Sequence, residues 1–401
     1  MLEFEEALAR VLAAVPAPAS ENVSLNEAAG RLLAERIRSP LDLPSFDNSA
    51  MDGYALCAAD VASAKPDSPV RLRLAGKVPA GETFAGKVTA GTCVRLFTGS
   101  PLPLGADAVV MQEETRAEPN ARGEVLILAP VGPGKNVRLR AEDVKQGSTL
   151  AEAGELLTAG RIGLLAAVGL TCVPVGRQPV VGLLATGSEL QEPGQPLAPG
   201  RIYESNRIAL AVVLKCAGAV PVTLPLVPDV LAATSTALAD AFSQCDAVVT
   251  SGGVSVGEMD FIKHAFEQMG GELQFWKVAI KPGRPFAFGR YRGKLLFGLP
   301  GNPVSALVTF LLLVRPALMR WQGATDVSPS VRHGVLAEPL VNHGERRHFM
   351  RVRVDSAGKV RSAGGQASHI LSSVAAANGL VDVPGDTTLA AEAAVPVLRW
   401  D

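Results

Sequence analysis

The stretch Thr250–Ser305 begins with T-S-G-G-V-S-V-G-E-M-D, continues through K-V-A-I-K-P-G-R-P and ends with G-L-P-G-N-P-V-S. A glycine-rich turn, an acidic residue, cations and a glycine–proline turn thus interrupt a series of apolar segments. The surrounding chain alternates apolar runs with segments of helical spacing, from Pro179–Ala185 to Asn302–Met319. This alternation predicts a mainly parallel sheet with helices on both faces, a three-layer α/β/α domain.

The rest of the chain predicts further domains. Helical spacing over residues 2–14 and Leu25–Arg38 gives way to short apolar runs broken by Gly and Pro, and helical spacing returns after Gly147. We therefore predict a multidomain α/β plus β protein with an elongated helical domain in two segments. The predicted boundaries are 1–42 with 144–177 (elongated domain), 43–143 (inserted β-rich domain), 178–322 (α/β domain) and 323–401 (C-terminal β domain).

Composition narrows the functional class. A chain of 401 residues is longer than one hydrophobic core usually accommodates, which predicts several domains. A net charge of −1 implies no bulk attraction to nucleic acid or to membranes. The longest apolar run, Ala306–Val314, is far shorter than a membrane span. Five scattered cysteines and an acidic N-terminal segment without signal-peptide features predict reduced thiols and a cytoplasmic location.

The loops that follow the predicted strands carry the candidate site, because ligands of open α/β sheets bind where strands end. Gly252 and Gly253 leave the backbone open to a phosphate, and Ser251 and Ser255 add hydroxyl donors. The alternative for this loop is a tight turn without a ligand.

Charged residues occur in the same set of loops. Glu189, Asp229 and Asp260 are suited to Mg²⁺, which prefers oxygen ligands; the alternative for each is a solvated acid or a helix cap. A second group, Lys277, Lys281 and Arg284, flanks an apolar strand end and favours an anionic ligand; the alternative is a surface strand with solvated cations. Asn302 is predicted as a helix N-cap with Pro303 at the first helical position.

Long motifs in a fixed order identify a family. They are F-D-N-S-A-M-D-G-Y-A (46–55), T-G-S-P-L-P-L-G-A-D-A-V-V, R-A-E-D (140–143), T-G-S-E-L, Y-E-S-N-R, S-G-G-V-S-V-G-E-M-D, K-P-G-R-P, L-P-G-N-P-V-S and Q-A-S-H-I-L-S-S. Across nearly its whole length the chain resembles molybdopterin molybdenumtransferases, which are related to a domain of gephyrin.

The resemblance implies an enzyme that inserts molybdate into adenylated molybdopterin in an Mg²⁺-dependent reaction, releasing AMP and giving molybdenum cofactor. It implies that residues 178–322 bind molybdopterin. It also implies a homodimer whose site lies between the α/β domain of one subunit and the inserted domain of the other. The molybdopterin adenylyltransferase is a further candidate partner.

Residue by residue, the resemblance implies functional roles beyond the α/β loops. The implied catalytic residues are Asp52, Thr98, Asp143, Glu189, Asp229, Asp260, Lys277 and Lys281, with Glu189, Asp229 and Asp260 as metal ligands. The implied cofactor-binding residues are Ser251, Gly252, Gly253, Ser255, Gly257, Arg284, Pro300, Gly301, Asn302, Pro303 and Ser368, with Ser372 as the alternative to Ser368.

Four positions depart from the family pattern. Ser188 and Val230 stand where acids are frequent, Ala141 replaces a frequent glycine, and Arg284 replaces a frequent lysine. Two other functions remain open at this stage. One is adenylation of molybdopterin by a related enzyme, and the other is a non-catalytic scaffold like the second role of gephyrin.

Overall fold

The computed structural model describes residues 1–117, 123–253 and 261–400. The chain forms two compact units, and it passes between them four times. The smaller unit contains Arg36–Glu152 and Thr158–Thr171, and the larger unit contains Met1–Glu35, Ala153–Leu157 and Cys172–Asp401. The finer four-domain boundaries given above stay predictions.

The α-helices are short, and most of them belong to the larger unit. They are α1 (Phe4–Ala13), α2 (Ala159–Ala167), α3 (Asn206–Cys216), α4 (Leu231–Gln244), α5 (Phe261–Gln268), α6 (Pro303–Thr309), α7 (Arg315–Trp321) and α8 (Leu371–Ala376). Single 3₁₀ turns cover Leu25–Glu27, Ala58–Val61 and Gln112–Glu114.

A π-helical turn, Phe310–Val314, joins α6 to α7. Pro316 comes two residues after the end of this turn, and a proline inside a helix lacks the N–H that the regular hydrogen-bond ladder needs. The continuous segment Pro303–Trp321 is long and apolar enough to cross a membrane, yet 72% of it is buried within the protein. Its burial is typical of a core helix.

The smaller unit contains a six-stranded sheet. In spatial order its strands are Ala108–Met111, Gly53–Leu56, Thr92–Leu96, Val70–Val78, Glu124–Ile127 and Thr115–Ala117. Two short ladders accompany it, Asn48–Ser49 with Val137–Arg138 and Ile37–Arg38 with Thr149–Ala151. The β-rich character predicted for this part of the chain is therefore confirmed.

The central sheet of the larger unit has six strands and is mixed. In spatial order they are Val220–Thr223, Val180–Ala185, Ala247–Ser251, Lys294–Leu299, Pro285–Tyr291 and Glu272–Lys277. The first four are parallel and the last two join antiparallel. The expected mainly parallel sheet thus has an antiparallel edge.

Helices cover both faces of this sheet. Alternate residues of each strand point to opposite faces, so each strand contributes side chains to two cores. Leu183 and Val249 pack in a core with α1, α3 and the Pro303–Trp321 helix. Their neighbours Leu184 and Val248 pack in a second core with α4 and α5. Strands that are apolar on both faces are typical of parallel sheets.

A third sheet, also in the larger unit, closes on itself in the C-terminal part. Five strands form its ring: Arg347–Val354, Lys359–Ser362, Ser330–Leu336, Ala394–Arg399 and Gly379–Val383, the last of which pairs back to the first. Ile280–Lys281 adds a parallel strand beside Arg347–His348. Three shorter ladders complete the unit: Ser20–Ser24 with Cys172–Gly176, Leu190–Gln191 with Ile202–Tyr203, and Leu340–Asn342 with Thr387–Leu389.

The helix predicted for Leu25–Arg38 is wrong beyond its first turn. Leu32 and Leu33 lie in extended chain and form bridges to Leu156 and Val175. Gly30, at φ +75°, turns the chain out of the helical conformation immediately before these leucines. Burial in a long-range β contact therefore explains the apolar spacing that resembled a helical face.

Candidate active site

A cleft of about 680 Å³ lies at the carboxyl ends of the parallel strands of the central sheet. Loops after three neighbouring strands, those ending at Ala185, Ser251 and Leu299, bring their side chains and backbone to it. The lining residues are Thr186, Gly187, Glu189, Leu190, Ile202, Tyr203, Glu204, Ser205, Asn206, Asp229, Ser251, Gly252, Gly253, Pro285, Pro300, Gly301, Asn302, Pro303 and His369. Because the strands are parallel, loops that are far apart in the sequence meet at the same edge of the sheet.

The glycine loop needs glycine for two reasons. Gly252 and Gly253 have φ values of +84° and +67°, a region that residues with side chains rarely adopt. A Cβ on Gly252 would also lie 2.6 Å from the carbonyl oxygen of Thr186. The loop therefore presents backbone to the cleft. Ser255, Gly257 and Asp260, which continue this loop, lie outside the described residues.

Two of the predicted metal ligands, Glu189 and Asp229, line the same cleft. Ser188 and Asp229 join their loops reciprocally: the Ser188 N–H donates to Asp229 Oδ2 over 3.0 Å, and the Asp229 N–H donates to Ser188 Oγ over 3.2 Å. Ser188 is thus a neutral hydrogen-bond partner of the Asp229 carboxylate.

The described acids of the cleft provide two carboxylates for Mg²⁺, those of Glu189 and Asp229. Among residues 1–117, 123–253 and 261–400, no three His, Cys, Asp or Glu side chains are grouped closely enough to hold a metal ion. A third acid that lines the cleft, Glu204, is already engaged by Arg207. Two carboxylates with a neutral serine beside them suit a weakly held hard cation that keeps several waters.

The predicted cations occupy a different place. In the described chain, Lys277, Lys281 and Arg284 do not line the cleft, whereas Lys281 lines a second cavity of about 590 Å³. His348 and Gln366 line that cavity too, and Lys281 pairs with His348 in the sheet register. Lys277 is the last residue of its strand and is half-buried, and Arg284 is exposed.

His348 is electrostatically unusual. Its ring is 2% exposed, and neither ring nitrogen has a hydrogen-bond partner among the described residues. Burial, together with the smaller effects of the nearby charges of Lys281, Arg351 and Arg346, lowers the pKa of His348 to about 3. The imidazole is therefore neutral at physiological pH.

The C-terminal segment reaches the cleft through two residues. Asn302 is the N-cap of α6 by position, with Pro303 first in the helix, as predicted, but its side chain forms no cap hydrogen bond. Its Nδ2 instead donates to Ser368 Oγ over 3.0 Å, and the neighbouring His369 lines the cleft. This contact supports Ser368 over Ser372 as the site serine.

In the smaller unit, Asp52 and Thr98 form one cluster. The Thr98 N–H and hydroxyl both donate to Asp52 Oδ1. These hydrogen bonds, followed by the charge of Arg95, lower the pKa of the Asp52 carboxyl. The Arg95 guanidinium lies over the Tyr54 and Phe97 rings, 4.9 and 5.4 Å from their centroids.

Asp143 is exposed, and its N–H donates to the Leu43 carbonyl oxygen over 3.0 Å. Two residues before it, Ala141 has φ +60°. The glycine that the family often has at this position would adopt that conformation without strain.

Sequence reasoning missed several residues of the cleft. Thr186, Tyr203, Ser205, Asn206 and His369 all line it. Three of these belong to the Y-E-S-N-R motif, which the sequence identified without assigning it a role. Its polar residues at the start of an otherwise apolar helix were the available signal.

Comparison with known proteins assigns the cleft to a class. The description "Probable molybdopterin binding domain" matches residues 182–320, which contain every lining residue of the cleft except His369. The MoeA N-terminal region (domain I and II) matches residues 2–169, and the MoeA C-terminal region (domain IV) matches residues 333–400. The segment that forms the cleft is thus of the molybdopterin-binding class.

Full-length relatives agree with this assignment. A molybdopterin molybdenumtransferase of Haemophilus influenzae is 40% identical over 384 residues, 94% of this chain and 93% of that protein. Molybdopterin molybdenumtransferase 2 of Mycobacterium tuberculosis is 41% identical over 94% of each chain. The crystal structure of a molybdopterin biosynthesis MoeA protein from Pyrococcus horikoshii superposes with a TM-score of 0.84 at 32% identity, covering 100% of both chains. The chain belongs to the molybdopterin molybdenumtransferase family.

Proposed function

We propose that this protein inserts molybdate into adenylated molybdopterin, releasing AMP and giving molybdenum cofactor. The observation that carries the proposal is the cleft itself. Apart from His369, its lining residues belong to the segment matched by the molybdopterin-binding description, in a chain that aligns with named molybdenumtransferases over 94% of its length. As a member of this family the protein is a transferase of molybdenum cofactor biosynthesis.

The cleft is suited to the phosphates of the adenylated substrate. Backbone at Gly252 and Gly253 is open to a ligand, and Ser251 and Gly301 approach from neighbouring strand ends. Backbone N–H groups in such loops bind anions without adding a full positive charge. We assign the pterin and nucleotide phosphates to this loop, with Pro300, Asn302 and Pro303 shaping the opposite wall.

Glu189 and Asp229 are the described residues we assign to Mg²⁺, and Asp260 is the third acid of the proposal. When bound, the ion supplies Lewis-acid polarisation of the phosphoanhydride. The Asp229 carboxylate also holds the backbone of Ser188, next to Glu189, without the ion. Lys277, Lys281 and Arg284 do not line this cleft, so in the proposal they offset the charge of molybdate from outside it, Lys281 from the second cavity. Ser368 fixes the Asn302 side chain.

Asp52, Thr98 and Asp143 require a second subunit in this proposal. We propose a cytoplasmic homodimer in which these residues act from the neighbouring chain. The low pKa of Asp52 supports a role as a carboxylate that stays ionised, and so accepts hydrogen bonds from a substrate N–H or O–H. The molybdopterin adenylyltransferase is the proposed supplier of the adenylated substrate.

The test is AMP release from adenylated molybdopterin, measured with and without molybdate and Mg²⁺. We expect release that depends on both and that falls at least tenfold in Asp229→Asn. Asp240→Asn removes one charge from an exposed position on α4 and is the matched control. Background release from the wild type would contradict the proposal. Accumulation of adenylated molybdopterin from ATP without molybdate would indicate adenylyl transfer instead.

A further inference from the structure

Asn206 lies at the first helical position of α3, where its side chain does not serve the helix. Ser205, the residue before the helix, forms no side-chain cap hydrogen bond. The N–H of Arg207, in the first turn, donates to Glu204 Oε1, so the Asn206 side chain does not satisfy that group. Asparagine is also a weak helix former. Local structure therefore gives no reason for an asparagine at this position.

The amide of Asn206 connects two loops of the cleft. Its Nδ2 donates to Ser251 Oγ over 2.7 Å and to the Gly301 carbonyl oxygen over 2.8 Å. Ser251 begins the glycine loop, and Gly301 belongs to the proline–glycine turn that follows the neighbouring strand Lys294–Leu299. Both hydrogens of one amide group thus fix the separation of the two loops, and all three residues line the cleft.

A buried ion pair holds Asn206 in this place. Glu204 and Arg207, 2% and 3% exposed, flank it in the chain. The Arg207 N–H donates to Glu204 Oε1 over 2.8 Å, and Arg207 Nε donates to Glu204 Oε2 over 3.1 Å. The guanidinium also donates to Glu192 and to the Leu224 carbonyl oxygen, which anchors the start of α3 to a neighbouring loop.

The direction of the Asn206–Ser251 hydrogen bond has a chemical consequence. Because the Ser251 oxygen accepts from Asn206, its own hydroxyl hydrogen is left for another acceptor. Ser251 is 4% exposed and lines the cleft, so a bound ligand can supply that acceptor, and a phosphate oxygen is one such group.

We propose that Asn206 is a positioning residue for nucleotide phosphate binding. It sets the gap between the glycine loop and the proline–glycine turn, and it orients the Ser251 hydroxyl to donate to a phosphate oxygen of the ligand. This inference rests on the proposed function, because it takes the phosphate of AMP or of the adenylated substrate as the ligand.

Calorimetric titration with AMP tests the inference without requiring turnover. We expect Asn206→Ala to weaken AMP binding about tenfold, the effect of roughly one net hydrogen bond. Asn206→Asp keeps the size of the side chain but turns the donors into acceptors, and we expect it to weaken binding at least as much. Asn378→Ala is the matched control, since the Asn378 side chain also makes two hydrogen bonds, both to the backbone of Val354.

A double-mutant cycle separates positioning from general destabilisation. If Asn206 acts through the Ser251 hydroxyl, Asn206→Ala and Ser251→Ala together weaken AMP binding by clearly less than the product of their separate effects. In the release assay we expect KM to rise with little change in kcat. Independent effects, or wild-type AMP affinity in Asn206→Ala, would overturn the inference. Absence of AMP release from the wild type would instead refute the proposed function.

Discussion

Thr98 donates two hydrogen bonds to a single carboxylate oxygen of Asp52, one from its backbone N–H and one from its hydroxyl, each 2.8 Å long. Both bonds favour the ionised carboxylate, and they lower the pKa of Asp52 together with the charge of Arg95. Asp52 therefore stays charged well below neutral pH, in a loop where backbone geometry alone would leave its side chain free.

Replacing Thr98 by valine removes one of these two bonds while keeping the shape of the side chain. We expect the pKa of Asp52 to rise towards its ordinary value, because the backbone bond alone remains, and AMP release to fall about tenfold. Carbon-detected NMR titration of Asp52 and the release assay measure the two effects. Thr115→Val, which removes a hydroxyl bonded to the Gln112 carbonyl oxygen, is the control. An unchanged Asp52 pKa in Thr98→Val would contradict the assignment.

Mixed dimers test whether the proposed site is shared between subunits. We expect Asp52→Asn and Asp229→Asn to be almost inactive separately. After unfolding and joint refolding, about half of the dimers contain one chain of each type, and one of their two sites is intact. Recovery of about a quarter of wild-type AMP release is therefore expected. No recovery in dimers shown by mass spectrometry to be mixed would argue against a shared site.

Ala141 is predicted to be a position of stored strain. Its φ of +60° costs a residue with a Cβ about 1–2 kcal/mol, which glycine avoids. Glycine also loses more chain entropy on folding, so we expect Ala141→Gly to raise the free energy of unfolding by up to about 1 kcal/mol. Urea unfolding measures the change.

Ala62 offers the matched control for this substitution, because it is exposed in the same unit and has φ −59°. We expect Ala62→Gly to lower the free energy of unfolding by about 0.5–1 kcal/mol. Equal effects of the two glycine substitutions would show that the conformation of Ala141 carries no strain.

His348 is expected to make stability depend on acidic pH. Its pKa of about 3 in the folded protein lies below the ordinary value of 6.5, so the unfolded chain binds the extra proton between these limits. Protonation of His348 therefore does not reduce the free energy of unfolding above pH 6.5. As pH falls from 6.5 towards 3, the free energy of unfolding decreases by about 1.4 kcal/mol per pH unit or less. Glu338 and His343 line the same cavity.

Urea unfolding at pH 7 and pH 5 checks this dependence. We expect His348→Gln to reduce the loss of stability between the two pH values, because glutamine cannot bind the proton. His333→Gln, at an exposed position on Ser330–Leu336, should leave the loss unchanged. Identical pH dependence in the wild type and His348→Gln would refute the prediction.

The sequence predicted the central sheet because its signal is local. Apolar runs such as Val180–Ala185 are buried on both faces, and the loops after them collect at one edge by the geometry of parallel strands. The cleft residues Ser251, Gly252 and Gly301 follow from the same rule.

Features that depend on distant partners could not be predicted. Leu32 and Leu33 lie in a segment of helical spacing, yet they form β-bridges to residues more than a hundred positions further along the chain. Asn206 forms hydrogen bonds with Ser251 and Gly301, which lie 45 and 95 residues further along the chain, and no local sequence pattern reveals these contacts. Likewise Lys281 follows a strand of the central sheet but belongs to a ladder with Arg347–His348, and so lies beside another cavity.

The core beneath the Pro303–Trp321 helix contains Ala7 from the first helix and Leu380 from the closed C-terminal sheet. Phe4 also meets Phe349 edge to face, with ring centroids 5.5 Å apart. Chains are synthesised from the N-terminus, and a core forms only when its members are present. The first helix must therefore wait for almost the entire chain to leave the ribosome, so this core is completed at the end of synthesis or after it.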